Sequence, residues 1–265
     1  MTVIRNPAVA GMFYPANSSE LRATIHKYLD QLEPQSGPAP KALIVPHAGY
    51  VYSGSVAATA YARLLPYRDR YTRVILLGPS HRFVTSNLAM SGADVFRTPL
   101  GDVPLDKQVT AALDSPRVGV VEAAHQYEHS LEVQLPFLQI VIAKFTLVPL
   151  VIGDAAPETV AAVINTLWGR NETLIVVSSD LSHYLAYDEA CARDRLTCNA
   201  IERLDADLIS HADACGATPV RGLLTEARRR AMRVTTLDLK NSGDTAGDKA
   251  RVVGYGAWML SEQAR

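Results

Sequence analysis

The feature that most constrains the fold is a unit that recurs along the chain. Each unit has a short apolar run bounded by turn residues, then a polar loop, then a helical pattern of apolar residues. This alternation is typical of βα units, in which helices cover both faces of a mainly parallel or mixed sheet. Within these units, the predicted strands are Ala42 to Val45, Val74 to Leu77, Phe145 to Ile152 and Leu174 to Val177.

The remaining segments extend this pattern without a break that would separate domains. Residues 87–103 contain Gly92, Pro99 and Gly101 and are predicted to form an antiparallel excursion. Two more strands, Met232 to Leu239 and Arg251 to Met259, follow near the C-terminus. We therefore predict one three-layer α/β domain over residues 1–265. Helices are predicted from Asn17 to Leu32, Ser55 to Leu65, Leu105 to Leu113, Pro157 to Trp168 and Tyr187 to Leu204.

Composition excludes several classes of function. With 26 Lys and Arg against 27 Asp and Glu, the net charge is −1, so no basic surplus exists to bind nucleic acid or an acidic membrane. The most apolar stretch, residues 137–153, is interrupted by Lys144 and Pro149, and no membrane span is predicted. The 3 cysteines form no CxxC pattern and no secretory signal is recognised, which predicts free thiols and a cytoplasmic location.

Three predicted strands end in loops that carry a histidine. His47 lies in VPHAGY, His81 in LGPSHR, and Asp180 and His183 in SSDLSHY. In an open parallel sheet, ligands bind at the carboxyl ends of the strands. A single histidine in a loop is more often tied to the backbone than functional, but three at equivalent strand ends indicate a constructed site.

Two neutral imidazoles and one carboxylate are the ligand set that suits non-haem Fe(II), and the same set also suits Zn²⁺. The residues leave the source of the carboxylate open. Asp180 is one candidate, Asp244 in the turn SGDTAGD is another, and Asp248 is a weaker third. The SGDTAGD turn can equally be a plain hairpin loop, because Asp and Gly dominate turns.

Other residues have supporting roles in this prediction. Asp180 and His183 are three residues apart, so a helical turn after Ser179 would put them on one face, with Asp180 orienting His183 as a general acid or base. Asp180 can instead be a helix N-cap. His129 precedes the helical pattern of EHSLEVQLPFL and is predicted to line the substrate pocket, while Pro136 should kink that helix or mark its beginning.

Several motifs together resemble one family. They are PHAGYVYSGSVAA, ILLGPSHR, FRTPLGDV, EHSLEVQLPFL, VSSDLSHY and NSGDTAGD, in this order and across nearly the whole chain. The set resembles the Memo family, whose prokaryotic members are called AmmeMemoRadiSam system protein B. That family is similar in fold to the class III extradiol dioxygenases, which hold Fe(II) between two histidines and an acidic residue.

The resemblance implies roles for individual residues. His47 and His81 match the two histidine ligands, His183 matches the acid/base histidine with Asp180 beside it, and Asp244 is the nearest match to the third ligand. It also implies a divalent metal, Fe(II) first with Zn or Cu as alternatives. The family name further implies a functional link to a radical S-adenosylmethionine protein.

Three functional hypotheses follow. The first is a metalloprotein with a dioxygenase-like Fe(II) site that acts on a small molecule or peptide. The second is a binding or scaffold protein that uses the same pocket without turnover. The third is a zinc-dependent hydrolase. The sequence has no GxGxxG, GxxxxGK[ST], GxSxG or HExxH motif, so nucleotide binding and serine hydrolysis have no local support.

Overall fold

A mixed β-sheet forms the centre of the computed structural model, which describes residues 2–33, 36–113 and 117–262. The ends of the predicted domain, residue 1 and residues 263–265, lie outside these ranges. The described strands are, in chain order, β1 (Ile4–Arg5), β2 (Ala42–Val45), β3 (Arg73–Pro79), β4 (Leu88–Met90), β5 (Val95–Thr98), β6 (Gly101–Pro104), β7 (Val118–Val120), β8 (Thr146–Ile152), β9 (Thr173–Ser178), β10 (His183–Leu185), β11 (Arg233–Asn241) and β12 (Val252–Ser261).

The strand order explains why one edge of the sheet can carry a site. The main sheet runs β10-β12-β2-β9-β3-β8-β4-β7, and β11 also pairs with β12. The central strands β2, β9, β3 and β8 are parallel to one another, whereas β12 and β4 join antiparallel on either side. Strands β1, β5 and β6 form a separate small sheet. The predicted α/β class and mixed sheet are confirmed.

Helices cover both faces of the main sheet. Successive strand residues point to opposite faces, and they divide accordingly between two buried apolar clusters, with Leu43 and Val45 in one and Ala42 and Ile44 in the other. The described helices are α1 (Ser18–Leu29), α2 (Tyr50–Tyr61), α3 (Lys107–Ala111), α4 (Glu122–Gln126), α5 (Leu135–Val141), α6 (Pro157–Leu167), α7 (Tyr187–Glu202) and α8 (Ala217–Arg229). The first cluster includes residues of α1, α2 and α5, and the second includes residues of α6, α7 and α8.

The starts of two helices near the site, α2 and α5, do not follow from the apolar spacing alone. Helix α2 starts at Tyr50, five residues before the predicted Ser55, with Gly49 as its N-cap and the Tyr50 ring buried. In EHSLEVQLPFL, a short 3-10 turn precedes α5, and Pro136 lies in the first turn of α5. Proline is tolerated there because the first amides of a helix have no helical partner. Pro136 therefore marks the helix start, one of the two predicted outcomes.

A buried ion pair ties the N-terminal segment to the 3-10 turn that leads into α5. The Glu132 carboxylate, with a fully buried side chain, pairs with the Arg5 guanidinium and accepts hydrogen bonds from the Tyr14 hydroxyl (2.6 Å) and from the backbone N–H of Ala8 (2.7 Å) and Val9 (3.0 Å). Arg5 also donates to the backbone carbonyl oxygens of residues 125 and 128. Contacts with the N-terminal segment therefore fix the loop before α5 at residues 125, 128 and 132.

Crossing a lipid bilayer needs a helix of about 20 mostly apolar residues. Within the part of the chain that the structure describes, no helix is both long and apolar enough to do so.

The Arg5–Glu132 pair generates a stability prediction. Glu132→Gln should lower the free energy of unfolding by about 3–5 kcal/mol, because it leaves the Arg5 guanidinium buried without its counter-charge. Urea denaturation measures this change. The control is Asp102→Asn, which breaks the exposed Arg97–Asp102 pair, whose side chains are 43% and 40% accessible, and should change stability far less. Equal effects of the two substitutions would contradict the prediction.

Candidate metal centre

The site lies where three neighbouring parallel strands end. In the sheet, Val45 of β2 is in register with Ser178 of β9, and β9 in turn pairs with β3. His47 follows the end of β2 by two residues, Asp180 follows β9 by two, and His81 follows β3 by two. Their loops therefore leave the same edge of the sheet side by side.

Three imidazoles converge at this edge. One ring nitrogen from each of His47, His81 and His129 lies within 4.8 Å of the other two. The ring centroids are 5.1 Å apart for His47 and His81, 5.5 Å for His47 and His129, and 4.6 Å for His81 and His129. Among the residues that the structure describes, these three side chains form the one group of at least three donors close enough to share a metal ion.

The tautomer of His47 follows from its neighbours. The Ser178 hydroxyl donates its single hydrogen to the Ser130 carbonyl oxygen at 2.7 Å, so towards His47 Nδ1, at 2.9 Å, it can only accept. His47 Nδ1 therefore carries the proton, and Nε2 keeps its lone pair. Burial, followed by the charge of His81, lowers the pKa of His47 to about 3, so the ring is neutral at pH 7.

The Glu128 carboxylate fixes the second imidazole. It accepts hydrogen bonds from the His81 backbone N–H at 2.6 Å and from His81 Nδ1 at 3.0 Å. A carboxylate only accepts, so Nδ1 is the protonated nitrogen and the Nε2 lone pair of His81 is free. Burial acts to raise the pKa of Glu128, but these hydrogen bonds from His81 hold it at about 2.

The same carboxylate fixes the third imidazole. Glu128 accepts from the backbone N–H of His129 at 2.9 Å and of Ser130 at 2.8 Å, and it lies 3.3 Å from His129 Nδ1. This loop lies directly against β3, because a Cβ on Gly78 would come within 2.8 Å of Ser130 Oγ. Burial and the neighbouring His47 lower the pKa of His129 to about 4. This imidazole too is neutral at pH 7.

Asp180 and His183 lie beside the three imidazoles, but not on a helical turn as predicted. The segment after Ser179 is extended and leads into β10, because the Leu181 N–H donates to the Gly254 carbonyl oxygen of β12 at 2.8 Å. Asp180 therefore caps no helix, and its Oδ1 accepts instead from the His47 backbone N–H at 2.7 Å. Burial raises the pKa of Asp180.

His183 has the same arrangement as the other imidazoles. Its Nδ1 donates to the Leu181 carbonyl oxygen at 2.8 Å, which leaves Nε2 with a lone pair. His183 is near enough to contribute to lowering the pKa of His47 and to oppose the rise in the pKa of Asp180. It is half-buried and begins β10.

Asp244 has other partners in this structure. It lies in a 3-10 turn over Ser242–Asp244, and its carboxylate accepts from the Tyr187 hydroxyl at 2.6 Å and from the Asn241 backbone N–H at 3.0 Å. The Asn241 side chain accepts in return from the Gly243 backbone N–H, so the turn is closed by a capping box. Asp248, the weaker candidate, accepts from the Ala250 backbone N–H at 2.8 Å. Neither carboxylate belongs to the three-imidazole group.

Two residues of the site have positions in the structure that suggest roles other than those predicted from the sequence. His129 was assigned to the substrate pocket, yet its ring stacks on His81 with an interplanar angle of 28°. Cys215, predicted only to be a free thiol, has its Sγ 3.3 Å from His47 Nε2. For His129, the adjacent Glu128 was the available signal, since a carboxylate often orients a ligating imidazole. Cys215 had no such signal in the sequence.

The donor set fits a divalent transition metal. His47 and His81 are each held through Nδ1 by a hydrogen bond to an oxygen atom and offer Nε2, which is how ligating histidines are usually oriented. His129 Nδ1 lies 3.3 Å from the Glu128 carboxylate. Imidazole nitrogen suits zinc, copper, iron and nickel rather than magnesium or calcium. His47 and His81 can therefore bind such an ion without changing their tautomers.

Comparisons with known proteins agree with the sequence resemblance. The family model "Memo-like protein" matches residues 5–259. A MEMO1 family protein of Aquifex aeolicus is 37% identical over 95% of this chain and 97% of its own length, and one of Methanococcoides burtonii is 39% identical over 97% and 100%. The crystal structure of an uncharacterized protein from Escherichia coli K12 superposes with a TM-score of 0.55 at 13% identity, over 81% of this chain and 98% of that one. This last likeness concerns the fold alone.

The contacts of Glu128 generate a second prediction. Glu128→Gln should weaken zinc binding roughly 10- to 100-fold, because an amide cannot accept from every N–H that the carboxylate serves and no longer orients His81 and His129. Competition with a chromogenic chelator measures the affinity. Glu122→Gln, a carboxylate on α4 that binds Ser91 instead, is the control and should leave affinity unchanged. Unaltered affinity in Glu128→Gln would contradict this account of the site.

The lowered pKa values of His47 and His129 generate a third prediction. Below about pH 6.5 the unfolded chain binds protons that the folded, metal-free protein does not accept until about pH 4. The unfolded state then holds more protons, so stability should fall as the pH drops through this window. Urea midpoints of chelator-treated protein between pH 7.5 and 4.5 measure the slope.

The control for this pH dependence uses two matched substitutions. His47→Asn keeps a side-chain N–H for Ser178 but cannot titrate, so it should reduce the slope without abolishing it, because the pKa values of His129 and His125 are lowered as well. His26→Asn, at an exposed histidine of α1, should leave the slope as it is. A wild-type stability that does not change between pH 6.5 and 4.5 would contradict the prediction.

Proposed function

The chain belongs to the Memo-like protein family, and we propose that it is a metalloprotein with a non-haem, dioxygenase-like site that acts on a small molecule or peptide. The observation that carries the proposal is the set of three imidazoles whose donor atoms lie within 4.8 Å of one another. A bound Fe(II) ion would supply the redox chemistry for a reaction with O₂. The extradiol dioxygenase-like architecture is part of the same proposal.

His183 is the proposed acid/base residue. Its Nδ1–H is held by a backbone carbonyl oxygen, so Nε2 can accept or return a proton at the substrate. Asp180 lies near it and would stabilise the protonated imidazolium through its charge. In this arrangement His47, His81 and His129 would hold the metal, and His183 would move the proton.

The third ligand is the point on which the proposal departs from the sequence prediction. His47 and His81 remain the proposed first two ligands, and we propose His129 as the third because its donor atom lies within the group. Asp244 stays a competing proposal for the third ligand, although its two carboxylate oxygens are hydrogen-bonded to Tyr187 and Asn241. Asp180 is the other competitor.

A zinc-dependent hydrolase is the second candidate, and the same three imidazoles favour it. Three histidines with an open fourth position are a common ligand set of catalytic zinc. An imidazole in place of the expected carboxylate therefore moves the donor set towards zinc. His183 and Asp180 would act as the acid/base pair in this reaction as well.

Metal content after anaerobic purification tests the proposal. We expect about one iron per chain and uptake of O₂ when substrates are screened. Zinc without O₂ uptake would instead support the hydrolase. A protein that neither retains nor rebinds iron or zinc would contradict both candidates and leave a binding protein that uses the pocket without a metal.

Substitutions test the division of roles, which is the fourth prediction. His47→Ala, His81→Ala and His129→Ala should each remove the metal, whereas His183→Ala should keep it and reduce any turnover about 10²- to 10⁴-fold. Metal analysis of the purified variants checks this, with His26→Ala as the control. If Asp244→Asn or Asp180→Asn lost the metal while His129→Ala kept it, the third ligand would be assigned wrongly.

A further inference from the structure

The Cys215 thiol is in contact with the metal centre. Its Sγ lies 3.3 Å from His47 Nε2 and 3.6 Å from the Asp180 carbonyl oxygen. Because His47 Nδ1 carries the proton of that ring, Nε2 is an acceptor and the thiol hydrogen can point at it. The sulfur therefore lies beside the ligating nitrogen of His47, although it is not itself within the group of three imidazoles whose donor atoms lie within 4.8 Å of one another.

The backbone holds the thiol in this position. The Cys215 N–H donates to the Asp180 carbonyl oxygen at 3.2 Å, and the Gly216 N–H donates to Ser179 Oγ at 2.9 Å. A Cβ on Gly216 would lie 2.6 Å from Ser179 Cβ and 2.8 Å from the Ser178 carbonyl oxygen, so only glycine allows this close approach. The segment before α8 is thus fixed against the end of β9, the strand that also supplies Ser178 to His47.

The distance between the two atoms is that of two ligands on one ion. Zinc lies about 2.3 Å from a thiolate and about 2.0–2.1 Å from an imidazole nitrogen, so at a tetrahedral angle the sulfur and nitrogen are about 3.5 Å apart. The observed 3.3 Å is close to this value.

We propose that Cys215 is a further ligand of the metal centre, binding as a thiolate beside His47. This inference rests on the proposed function, because it needs the imidazole site to hold a metal. The thiol loses its proton to solvent as the sulfur–metal bond forms, and no electron is transferred. A sulfur ligand makes the centre selective for softer ions such as zinc, copper(I) or iron over manganese and magnesium.

Cobalt(II) is the probe that tests the proposal. Metal-free protein is titrated with Co²⁺, whose visible absorption reports binding and whose near-ultraviolet charge-transfer band reports a thiolate ligand. The band should be present in the wild type and lost in Cys215→Ser, with affinity reduced by more than the roughly 10- to 100-fold that loss of an outer-shell partner costs. Cys191→Ser and Cys198→Ala, at an exposed and a buried thiol elsewhere, should keep the band.

The outcomes separate this proposal from the one on which it rests. Visible Co²⁺ absorption without a charge-transfer band, or a band that survives in Cys215→Ser, would overturn the thiolate ligand while the imidazole site stands. Absence of any visible absorption in the wild type would overturn the metal site itself. As a second measurement on unmodified protein, Zn²⁺ should slow alkylation of Cys215 but not of Cys191, and equal alkylation of Cys215 with and without Zn²⁺ would overturn its ligation.

Discussion

The parallel order of β2, β9 and β3 is the constraint on which the site depends. Pairing of Val45 with Ser178 aligns the ends of two strands, so that the loops holding His47 and Asp180 leave the sheet at the same level. The backbone N–H of His47 then reaches the Asp180 carboxylate, and its ring reaches the hydroxyl of Ser178. Sheet register, rather than any local motif, thus sets the geometry of His47, the first proposed ligand.

A loop outside that sheet order completes the site, and buried charge fixes it. Glu128 binds the backbone and the ring of His81, and Glu132, four residues later, binds Arg5. The first carboxylate attaches the loop to the end of β3, and the second attaches it to the N-terminal segment. His129 lies between these two attachments, which explains how a residue outside a strand end is held at the site.

The sequence predicted the parts of this arrangement that follow from strand ends and missed those that depend on contacts between distant loops. His47, His81, Asp180 and His183 were identifiable because short apolar runs precede them and parallel strands end at one edge. The place of Cys215 depends on Gly216 packing against Ser179, a contact between residues 37 positions apart that no local pattern shows. The expected helical turn at Asp180 failed for the same reason, since β12 pairs with that segment.

The charge balance of the site gives a reason for a cation to bind there. Glu128 is ionised and almost fully buried, and Asp180 is a second buried carboxyl group, beside the backbone N–H of His47. Backbone N–H groups and the His81 ring donate hydrogen bonds to them, and His47 and His129 are neutral at pH 7. Uncompensated charge is costly in a buried place. A divalent ion held by the three imidazoles would balance the charge of Glu128, so the carboxylate that orients His81 also favours the positive charge that the imidazoles would hold.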